Sequence, residues 1–200
     1  MNGKTLMNYQ RVLALAEAGL YYGKDDFDKE RYQELKDISL DLISEISSSS
    51  VEKLENLFIE DEGYPTPKID VRAYIQYNNK ILLVEDSKTK EWALPGGYAE
   101  VGLSPKENII KEVFEETGMN VTADHLLAVF DTNKRKDIPQ IFQFYKMVFS
   151  CTIIDGTFQD NLETSDSRFF RLCDIPKLSE QRTTNKQLEI LKNRSTTYFE

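Results

Sequence analysis

Three glutamates on one predicted helix are the residues of this chain best suited to catalysis. Glu112, Glu115 and Glu116 follow a spacing of i, i+3 and i+4, so a helix places their carboxylates on one face within a single turn. Like charges at that spacing destabilise a bare helix, and a bound cation removes the repulsion. On an arbitrary surface helix such a cluster is more often a solvated acidic face. Here Pro95-Gly96-Gly97 precedes the helix, and a glycine loop lets a backbone carbonyl approach a metal closely, so we predict a site for a hard cation.

The scarcity of nitrogen and sulfur ligands restricts the kind of metal. The single histidine, His125, and the two cysteines, Cys151 and Cys173, match no metal-ligand spacing. Oxygen ligands favour Mg²⁺ or Mn²⁺ over zinc. Two cysteines in a chain without an export signal are typical of a reduced protein, so we expect a cytoplasmic location.

The composition is that of a globular protein and argues against several kinds of partner. Of 200 residues, 40% are hydrophobic and 30% are charged, which is enough to bury a core. No apolar run reaches the roughly 20 residues of a transmembrane helix. The 25 basic and 34 acidic residues give a net charge of −9, which opposes binding to anionic membranes or duplex nucleic acid. A small nucleotide stays compatible, because a bound divalent cation reverses the local charge.

The elements that must position these residues form two parts, of which the first, residues 1–62, is predicted to be all helical. Apolar residues recur every three or four positions over Leu6–Leu20 and Asp28–Ile46, and a shorter helix is predicted at Val51–Ile59. Three short helices make a small core and leave apolar stripes uncovered, so we expect this domain to mediate a homodimer. The alternative is that the helices fold back on the rest of their own chain.

The second part, residues 63–200, is predicted to be a mixed α/β domain. Its predicted strands are Val71–Tyr77, Ile81–Val84, Trp92–Leu94, Leu126–Phe130, Ile141–Ile153 and Arg168–Arg171, and a terminal helix is predicted at Thr183–Asn193. One further helix is clearly marked, because Ser104, Pro105 and Glu107 form a capping pattern at its start and Gly118 ends it. That helix carries the three glutamates.

The segment from Gly97 to Met119 resembles the Nudix box, G-x5-E-x7-R-E-U-x-E-E-x-G-U, in which U is aliphatic. The three glutamates of the helix occupy the glutamate positions of its second half. Leu103 stands where the box has its first glutamate, and Lys111 stands where it has arginine. In the family those two residues usually pair and brace the loop against the helix. We expect both halves of the brace to have changed together, with a structural rather than a catalytic consequence.

The resemblance continues outside the box and implies a fold and a class of substrate. Further similar segments are Met7–Phe27, Tyr64–Arg72, Trp92–Gly97 and Asp131–Lys134. Together they resemble Nudix hydrolases with a small helical N-terminal domain, which act on nucleoside diphosphates linked to another moiety. The resemblance implies an α/β/α sandwich around a mixed sheet, preceded by helices that assist dimerisation.

It also implies roles for individual residues. By the family's pattern the Gly96 carbonyl, Glu112 and Glu116 are metal ligands, and Glu115 is a further ligand or a base. Glu163, in the polar loop 161–166, is a second candidate for the base, because many members of the family place an acid from such a loop over the metal. The alternative for Glu163 is a solvated acid on a loop.

Three further residues are candidates for substrate binding. Arg72, on the first predicted strand, is suited to clamp a phosphate with two hydrogen bonds, although a surface ion pair is an equal alternative. Tyr98, beside the glycine loop, offers a ring face for a base or a quaternary ammonium. Lys134 begins the basic run Lys134–Lys136. This run is expected either to contact phosphates or to be a solvated hairpin tip, and the hairpin tip is the simpler alternative.

These observations lead to the hypothesis of a Mg²⁺- or Mn²⁺-dependent pyrophosphohydrolase. CDP-choline is the preferred substrate, cleaved to CMP and phosphocholine, and ADP-ribose is the alternative. A hypothesis of another class is a sensor that binds a nucleotide without hydrolysing it; the missing box glutamate favours it, and the three retained glutamates argue against it. A weaker alternative is exonuclease activity on single-stranded RNA, with Lys134–Lys136 contacting the backbone.

Overall fold

The structure of the protein is a computed structural model that describes residues 3–47, 65–135, 137–138, 140–192 and 194–200. These residues form two compact units. The first comprises the described residues up to Lys68 together with Thr132–Phe144, and the second comprises Ile69–Asp131 and Tyr145–Glu200. The expected domain boundary between residues 62 and 63 and the expected helix at Val51–Ile59 lie outside the described residues, so both stay predictions.

Two long helices, α1 (Gly3–Tyr22) and α2 (Asp26–Ser47), make up most of the first unit. They approach closely at Gly19, where a β-carbon would lie 2.5 Å from the ring of Tyr32. The core of the unit is apolar and contains Leu6, Leu13, Leu40 and Ile43, with Tyr9, Ile46 and Ile141 packed against it. Both predicted helices are present, each two or three residues longer at its start than the apolar pattern suggested.

The stripe that α2 buries differs from the predicted one. The three- and four-residue spacing over Asp28–Ile46 predicts an apolar face that contains Leu35 and Ile38. These two side chains are 42% and 48% exposed, whereas Leu40 and Ile43 are fully buried. The reason is that α2 carries apolar side chains on two of its sides, and only one of them faces the core of the unit. Of the helices in the described part of the chain, none has the length and apolarity needed to cross a membrane.

The second unit is built on a mixed sheet flanked by two helices, α3 (Pro105–Thr117) and α4 (Asn185–Leu191). Its strands are β1 Lys68–Tyr77, β2 Lys80–Asp86, β3 Trp92–Ala93, β4 Met119–Asp131, β5 Phe144–Gly156, β6 Thr164–Phe170 and β7 Tyr198–Phe199. The strand order is β3-β2-β1-β5-β4-β7, and β6, which lies outside this path, also pairs with β2. The pairs β1–β2, β2–β3, β2–β6 and β4–β5 are antiparallel, while β4–β7 is parallel.

Each face of the sheet is covered by a helix, which confirms the predicted α/β/α sandwich. On one face Ile109 and Val113 of α3 pack in the same buried cluster as Leu82 of β2. On the other face Leu188 of α4 shares a buried cluster with Leu83. Leu82 and Leu83 are adjacent in one strand, and successive side chains of a strand point to opposite faces. Helix α3 is therefore held against the sheet by its apolar side, which leaves its polar side to face elsewhere.

Several strand boundaries differ from the predicted ones, and three of the differences have identifiable reasons. β4 begins well before Leu126, because its first residues alternate buried apolar and exposed polar side chains. β6 begins before Arg168, and its polar first residues pair with β2 at the edge of the sheet, where polar side chains are tolerated. β5 begins after Ile141, because Ile141 packs in the core of the first unit.

Candidate active site

Helix α3 is fixed at both ends by the contacts that its sequence predicts. The Ser104 hydroxyl accepts a hydrogen bond from the Glu107 amide at 3.2 Å, and the Glu107 carboxylate accepts one from the Ser104 amide at 2.8 Å. Gly118 ends the helix with a φ of 71°, in the left-handed region that glycine adopts without strain. The carboxylates on α3 therefore stand on a helix with defined ends.

The glycine loop runs beside the first half of β1. The amide of Val71 donates to the Gly97 carbonyl at 2.9 Å, and the amide of Ala73 donates to the Pro95 carbonyl at 2.8 Å. Gly96 has a φ of 134°, and a β-carbon on it would lie 2.1 Å from the Val71 carbonyl oxygen. Only glycine fits at that position, so the close approach of the loop to the strand requires Gly96.

Two of the three predicted glutamates face this loop. Glu116 is 5% exposed, and its carboxylate accepts a hydrogen bond from the Gly96 amide at 2.7 Å. Burial raises the pKa of Glu116 to about 7, against the opposing effect of the Arg72 charge. The Glu112 carboxylate lies so close to Gly97 that a β-carbon there would be 2.6 Å from its Oε2 atom, and burial also raises the pKa of Glu112.

The third glutamate, Glu115, has a different environment. Its carboxylate is about half exposed and accepts a hydrogen bond from Lys111 Nζ at 2.8 Å. Lys111 Nζ also donates to the Glu100 carboxylate at 3.0 Å. The pKa of Lys111 is raised by these two carboxylates, with Glu115 as the larger cause. Glu115 is thus engaged by a lysine, while Glu112 and Glu116 lie against the loop.

The donor set at the loop fits a hard divalent cation. Glu112 and Glu116 place carboxylate oxygens next to Gly96 and Gly97 of the glycine loop. Oxygen donors suit Mg²⁺ or Mn²⁺. Both carboxylates titrate above their ordinary range because burial disfavours their charge, and a cation would offset that cost. Within the described residues, no three acidic, histidine or cysteine side chains already surround a common point. The ligand roles of Gly96, Glu112, Glu115 and Glu116 therefore stay predictions.

The loop that carries Glu163 is tied to the end of α3. The Asn161 amide group donates to the Glu116 carbonyl at 3.1 Å, and the Thr164 hydroxyl donates to the same carbonyl at 2.5 Å. The Asn161 side-chain oxygen accepts from the Glu163 amide at 3.0 Å. On its other side the loop is held by Ser87, whose amide donates to the Glu163 carbonyl at 2.8 Å. These contacts keep Glu163 at the cavity, and its negative charge contributes to the raised pKa of Glu112.

One cavity of about 600 Å³ joins the glycine loop, the polar side of α3 and this tied loop. It is lined by Asp86, Ser87, Lys88, Gly96, Gly97, Tyr98, Ala99, Glu100, Glu112, Glu116, Leu162, Glu163 and Arg182. Five of the predicted site residues, Gly96, Tyr98, Glu112, Glu116 and Glu163, are therefore brought together here. Tyr98 is 66% exposed at this cavity.

Three predicted site residues lie elsewhere. Glu115 is held by Lys111 and is not among the lining residues. Arg72 is buried rather than on the surface, where its Nε donates to Asp70 at 2.8 Å and its Nη1 donates to the Leu94 carbonyl at 3.2 Å. Lys134 is exposed and belongs to the first unit, and Lys136 lies outside the described residues.

The cations that line the cavity were not found from the sequence. Arg182 lies 2.9 Å from the Asp86 carboxylate through its Nη2 atom, and Lys88 is an exposed neighbour in the lining. Neither residue falls in a recognisable motif, since Lys88 lies in a turn and Arg182 precedes the α4 cap. Only the pairing of β2 with β6 and the return of the chain beside β3 bring them to the cavity.

Comparisons with known families cover both units. A model described as a UDP-X-like N-terminal oligomerisation domain matches residues 4–58, and a model described as a NUDIX domain matches residues 66–193. The second match spans more than half of the chain and contains every cavity residue named above.

Individual relatives agree with these matches. A Bacillus subtilis (strain 168) protein provisionally named ADP-ribose pyrophosphatase YjhB is 41% identical over 94% of this chain and 90% of its own length. A crystal structure of a UDP-X diphosphatase is 40% identical and superposes over the whole of both chains with a TM-score of 0.65. A crystal structure of an ADP-ribose pyrophosphatase from Streptococcus suis 89-1591 is 38% identical over 68% of this chain and 100% of its own, with a TM-score of 0.60.

Proposed function

This chain belongs to the Nudix hydrolases, and from that premise we propose that it cleaves the pyrophosphate of a nucleoside diphosphate linked to another moiety. The observation that supports the proposal most is the pair of carboxylates, Glu112 and Glu116, held against a glycine loop inside a cavity of about 600 Å³. Water attacks one phosphorus atom, the bridging P–O bond breaks, and the products are a nucleoside monophosphate and a phosphorylated second compound. Membership of a hydrolase family weighs against the sensor hypothesis.

Nudix hydrolases as a class use divalent metal ions, and we propose Mg²⁺ or Mn²⁺ here. Glu112, Glu116 and the Gly96 carbonyl would hold the ion, with Glu115, which Lys111 holds in place, as a further ligand. A divalent cation in such a site neutralises pyrophosphate oxygens and lowers the pKa of a bound water. The buried position of Glu116 supports a ligand role, because an isolated carboxylate is costly to bury.

We propose that Glu163 accepts the proton of the attacking water. It lines the cavity, and its loop is held by the Asn161 and Ser87 contacts. Glu115 is the weaker candidate for this role, since Lys111 already engages its carboxylate. A general base must reach the proton that it removes, and Glu163 is the exposed acid of the tied loop.

Arg182 replaces Arg72 in the proposal as the residue that contacts a substrate phosphate. Arg72 is committed to Asp70 and the Leu94 carbonyl, so it acts through the loop rather than on the substrate. Arg182 is partly exposed, lines the cavity and offers further donors beside its pair with Asp86. Tyr98 keeps its proposed role of stacking on the base or on a quaternary ammonium.

The choice of substrate rests on the charge of the cavity and on the relatives. Asp86 and Glu163 add negative charge to a lining that also contains the Tyr98 ring, which suits the quaternary ammonium of CDP-choline. ADP-ribose is the second candidate, because relatives at 41% and 38% identity are named ADP-ribose pyrophosphatases. No observation on the described residues favours single-stranded RNA.

A substrate panel tests the proposal. The full-length protein is incubated with Mg²⁺ or Mn²⁺ and CDP-choline, ADP-ribose or UDP-linked sugars, and released nucleoside monophosphate is separated by ion-exchange chromatography. We expect turnover of at least one compound, with CDP-choline fastest. Turnover of ADP-ribose without CDP-choline would overturn the preference, and no turnover of any compound with either metal would overturn the activity.

We also propose that the protein is a cytoplasmic homodimer. The match of residues 4–58 to an N-terminal oligomerisation domain supports self-association, and the exposed apolar side of α2 supplies a surface for it. A two-fold dimer is the commonest closed assembly of identical chains. The two free cysteines, Cys151 and Cys173, suit a reducing compartment.

A further inference from the structure

A single buried amide fixes the segment between the glycine loop and α3. Asn108 is 1% exposed, and its side-chain oxygen accepts a hydrogen bond from the Glu100 amide at 2.8 Å. Its side-chain nitrogen lies within 3.4 Å of the carbonyl oxygens of Glu100, Leu103 and Ser104. Asn108 therefore binds both the backbone amide and the backbone carbonyl of Glu100. These two hydrogen bonds fix the point from which the Glu100 side chain extends.

From that fixed backbone the Glu100 carboxylate reaches Lys111 on the next turn of α3. Lys111 Nζ lies 3.0 Å from Glu100 and 2.8 Å from Glu115, so one lysine joins the loop to the third glutamate of the helix. Within a helix, a lysine four residues before a glutamate is the less favourable order of that pair. The Lys111–Glu115 contact thus gains from an anchor outside the helix, and Glu100 is that anchor.

The position that the Nudix box assigns to this anchor holds a residue that cannot form it. Leu103 has no polar side-chain atom and is 37% exposed, and its only polar contact to α3 in the described structure is through its carbonyl oxygen. Glu100 lies three residues earlier, in the part of the loop that Asn108 holds. In this chain the acid that contacts position 111 therefore lies three residues before the position that the box assigns to it.

We infer that Glu100, fixed by Asn108 and paired with Lys111, positions Glu115 in place of the missing box glutamate. Glu100, Lys111 and Asn108 are positioning residues, because they act through Glu115 and the loop. Exposed ion pairs contribute little to folding stability, so the value of this arrangement lies in where it holds the Glu115 carboxylate relative to Glu112 and Glu116. The inference rests on the proposed function, since Glu115 matters only if the carboxylates serve one site.

Moving the acid back to the box position tests the inference. Glu100→Gln should lower kcat roughly tenfold, within the range that small misplacements of catalytic groups cost, while the KM for the nucleotide and the urea midpoint stay unchanged. Adding Leu103→Glu to Glu100→Gln should restore kcat to within threefold of the wild type. Val101→Glu, at a fully exposed loop position, should not restore it, although both double variants carry the wild-type net charge.

Two further variants provide controls. Lys111→Arg keeps a cation that can reach both carboxylates and should stay within threefold of the wild type, whereas Lys111→Met should resemble Glu100→Gln. Glu91→Gln removes a partly exposed ion pair of similar length, Lys177 to Glu91 at 2.8 Å, away from the cavity lining, and should change nothing.

A metal-binding measurement separates this inference from the proposed function. The affinity of the nucleotide-free protein for Mn²⁺ is measured from the electron paramagnetic resonance signal of free Mn²⁺. This affinity should fall in Glu100→Gln. Adding Leu103→Glu should restore it, whereas adding Val101→Glu should not. That pattern without turnover of any substrate would support the inference and overturn the proposed activity. Full activity and unchanged Mn²⁺ affinity in Glu100→Gln, or equal rescue by Val101→Glu, would overturn the inference alone. A wild-type protein that neither binds Mn²⁺ nor turns over substrate would overturn both.

Discussion

Helix α3 and the α1–α2 pair are both amphipathic, but they depart from ordinary amphipathic helices in opposite ways. Helix α3 buries polar side chains, Asn108 and Glu116, on the side that faces the glycine loop. The α1–α2 pair leaves large apolar side chains exposed, among them Leu15 and Ile38. Buried polar groups and exposed apolar groups are the two informative exceptions to the usual partition of side chains. A buried carboxylate needs a ligand to offset its burial, and an exposed apolar stripe needs a partner to cover it.

The largest effect should come from removing the buried charge on α3. Glu116→Gln keeps the acceptor for the Gly96 amide but removes a metal-ligand charge, so we expect kcat to fall by at least about 10³ at saturating Mg²⁺. Steady-state kinetics on the substrate found by the panel measures the effect, with Glu189→Gln, an exposed glutamate of α4, as the control. A wild-type rate in Glu116→Gln would show that the metal does not bind at this helix. The comparison between α3 and the α1–α2 pair would then no longer hold.

The same carboxylate should make the metal-free protein less stable as the pH rises. Because burial raises the pKa of Glu116 from 4.5 to about 7, the folded state binds this proton more tightly than the unfolded state. The free energy of unfolding therefore falls as the pH rises from about 4.5 to about 7, by on the order of 3 kcal/mol from this group. Glu112 shifts in the same direction.

Urea unfolding with EDTA at pH 5 and pH 8 measures this effect. The difference between the two pH values should be larger in the wild type than in Glu116→Gln, because the glutamine does not titrate. Added Mg²⁺ should restore stability at pH 8 in the wild type only. Equal pH dependence in the two proteins would show that Glu116 ionises normally and that its burial carries no electrostatic cost.

The contrast between the two regions also explains how much the sequence could predict. The capping residues of α3, Gly118 and the apolar stripe of α1 act over a few residues, so their outcome follows from local spacing. The glutamates and the glycine loop were found because they lie within one short motif. The mixed α/β class followed from the predicted strands and helices, whereas the sandwich was implied by the family resemblance alone.

What the sequence did not predict depends on contacts between distant segments. Arg182 and Lys88 join the cavity only through the pairing of β2 with β6 and the contact between β3 and the segment near residue 178. Arg72 was expected either to clamp a phosphate or to form a surface ion pair, yet it pairs in the interior with Asp70, which lies two residues away on the same side of the strand. For α2, two apolar sides compete for one core, and spacing alone does not decide which side is buried.

A smaller effect is expected from charging the exposed apolar side of the helical pair. Burial of one leucine or isoleucine contributes about 1.5–3 kcal/mol, so Leu15→Glu or Ile38→Glu should raise the dimer dissociation constant tenfold or more. Analytical ultracentrifugation at micromolar concentration measures it. Ile154→Glu, at an exposed isoleucine of β5, is the matched control and should leave the dimer intact. A wild-type protein that sediments as a monomer would end the dimer proposal.

The smallest effect is expected where the box departs most visibly from its family pattern. Leu103→Glu restores the family residue, but Lys111 already contacts Glu100 at 3.0 Å and Glu115 at 2.8 Å, so a third carboxylate adds little. Leu103 is partly exposed, so the charge is solvated and the fold should not suffer. We expect kcat/KM to stay within about tenfold of the wild type, and Leu103→Gln, which has nearly the same shape without the charge, to behave alike. A gain of a hundredfold or more in Leu103→Glu alone would mean that Glu100 does not position Glu115 and that the present loop leaves α3 without a working brace. The polar side of α3 would then need a further contact, as the exposed apolar side of α2 does.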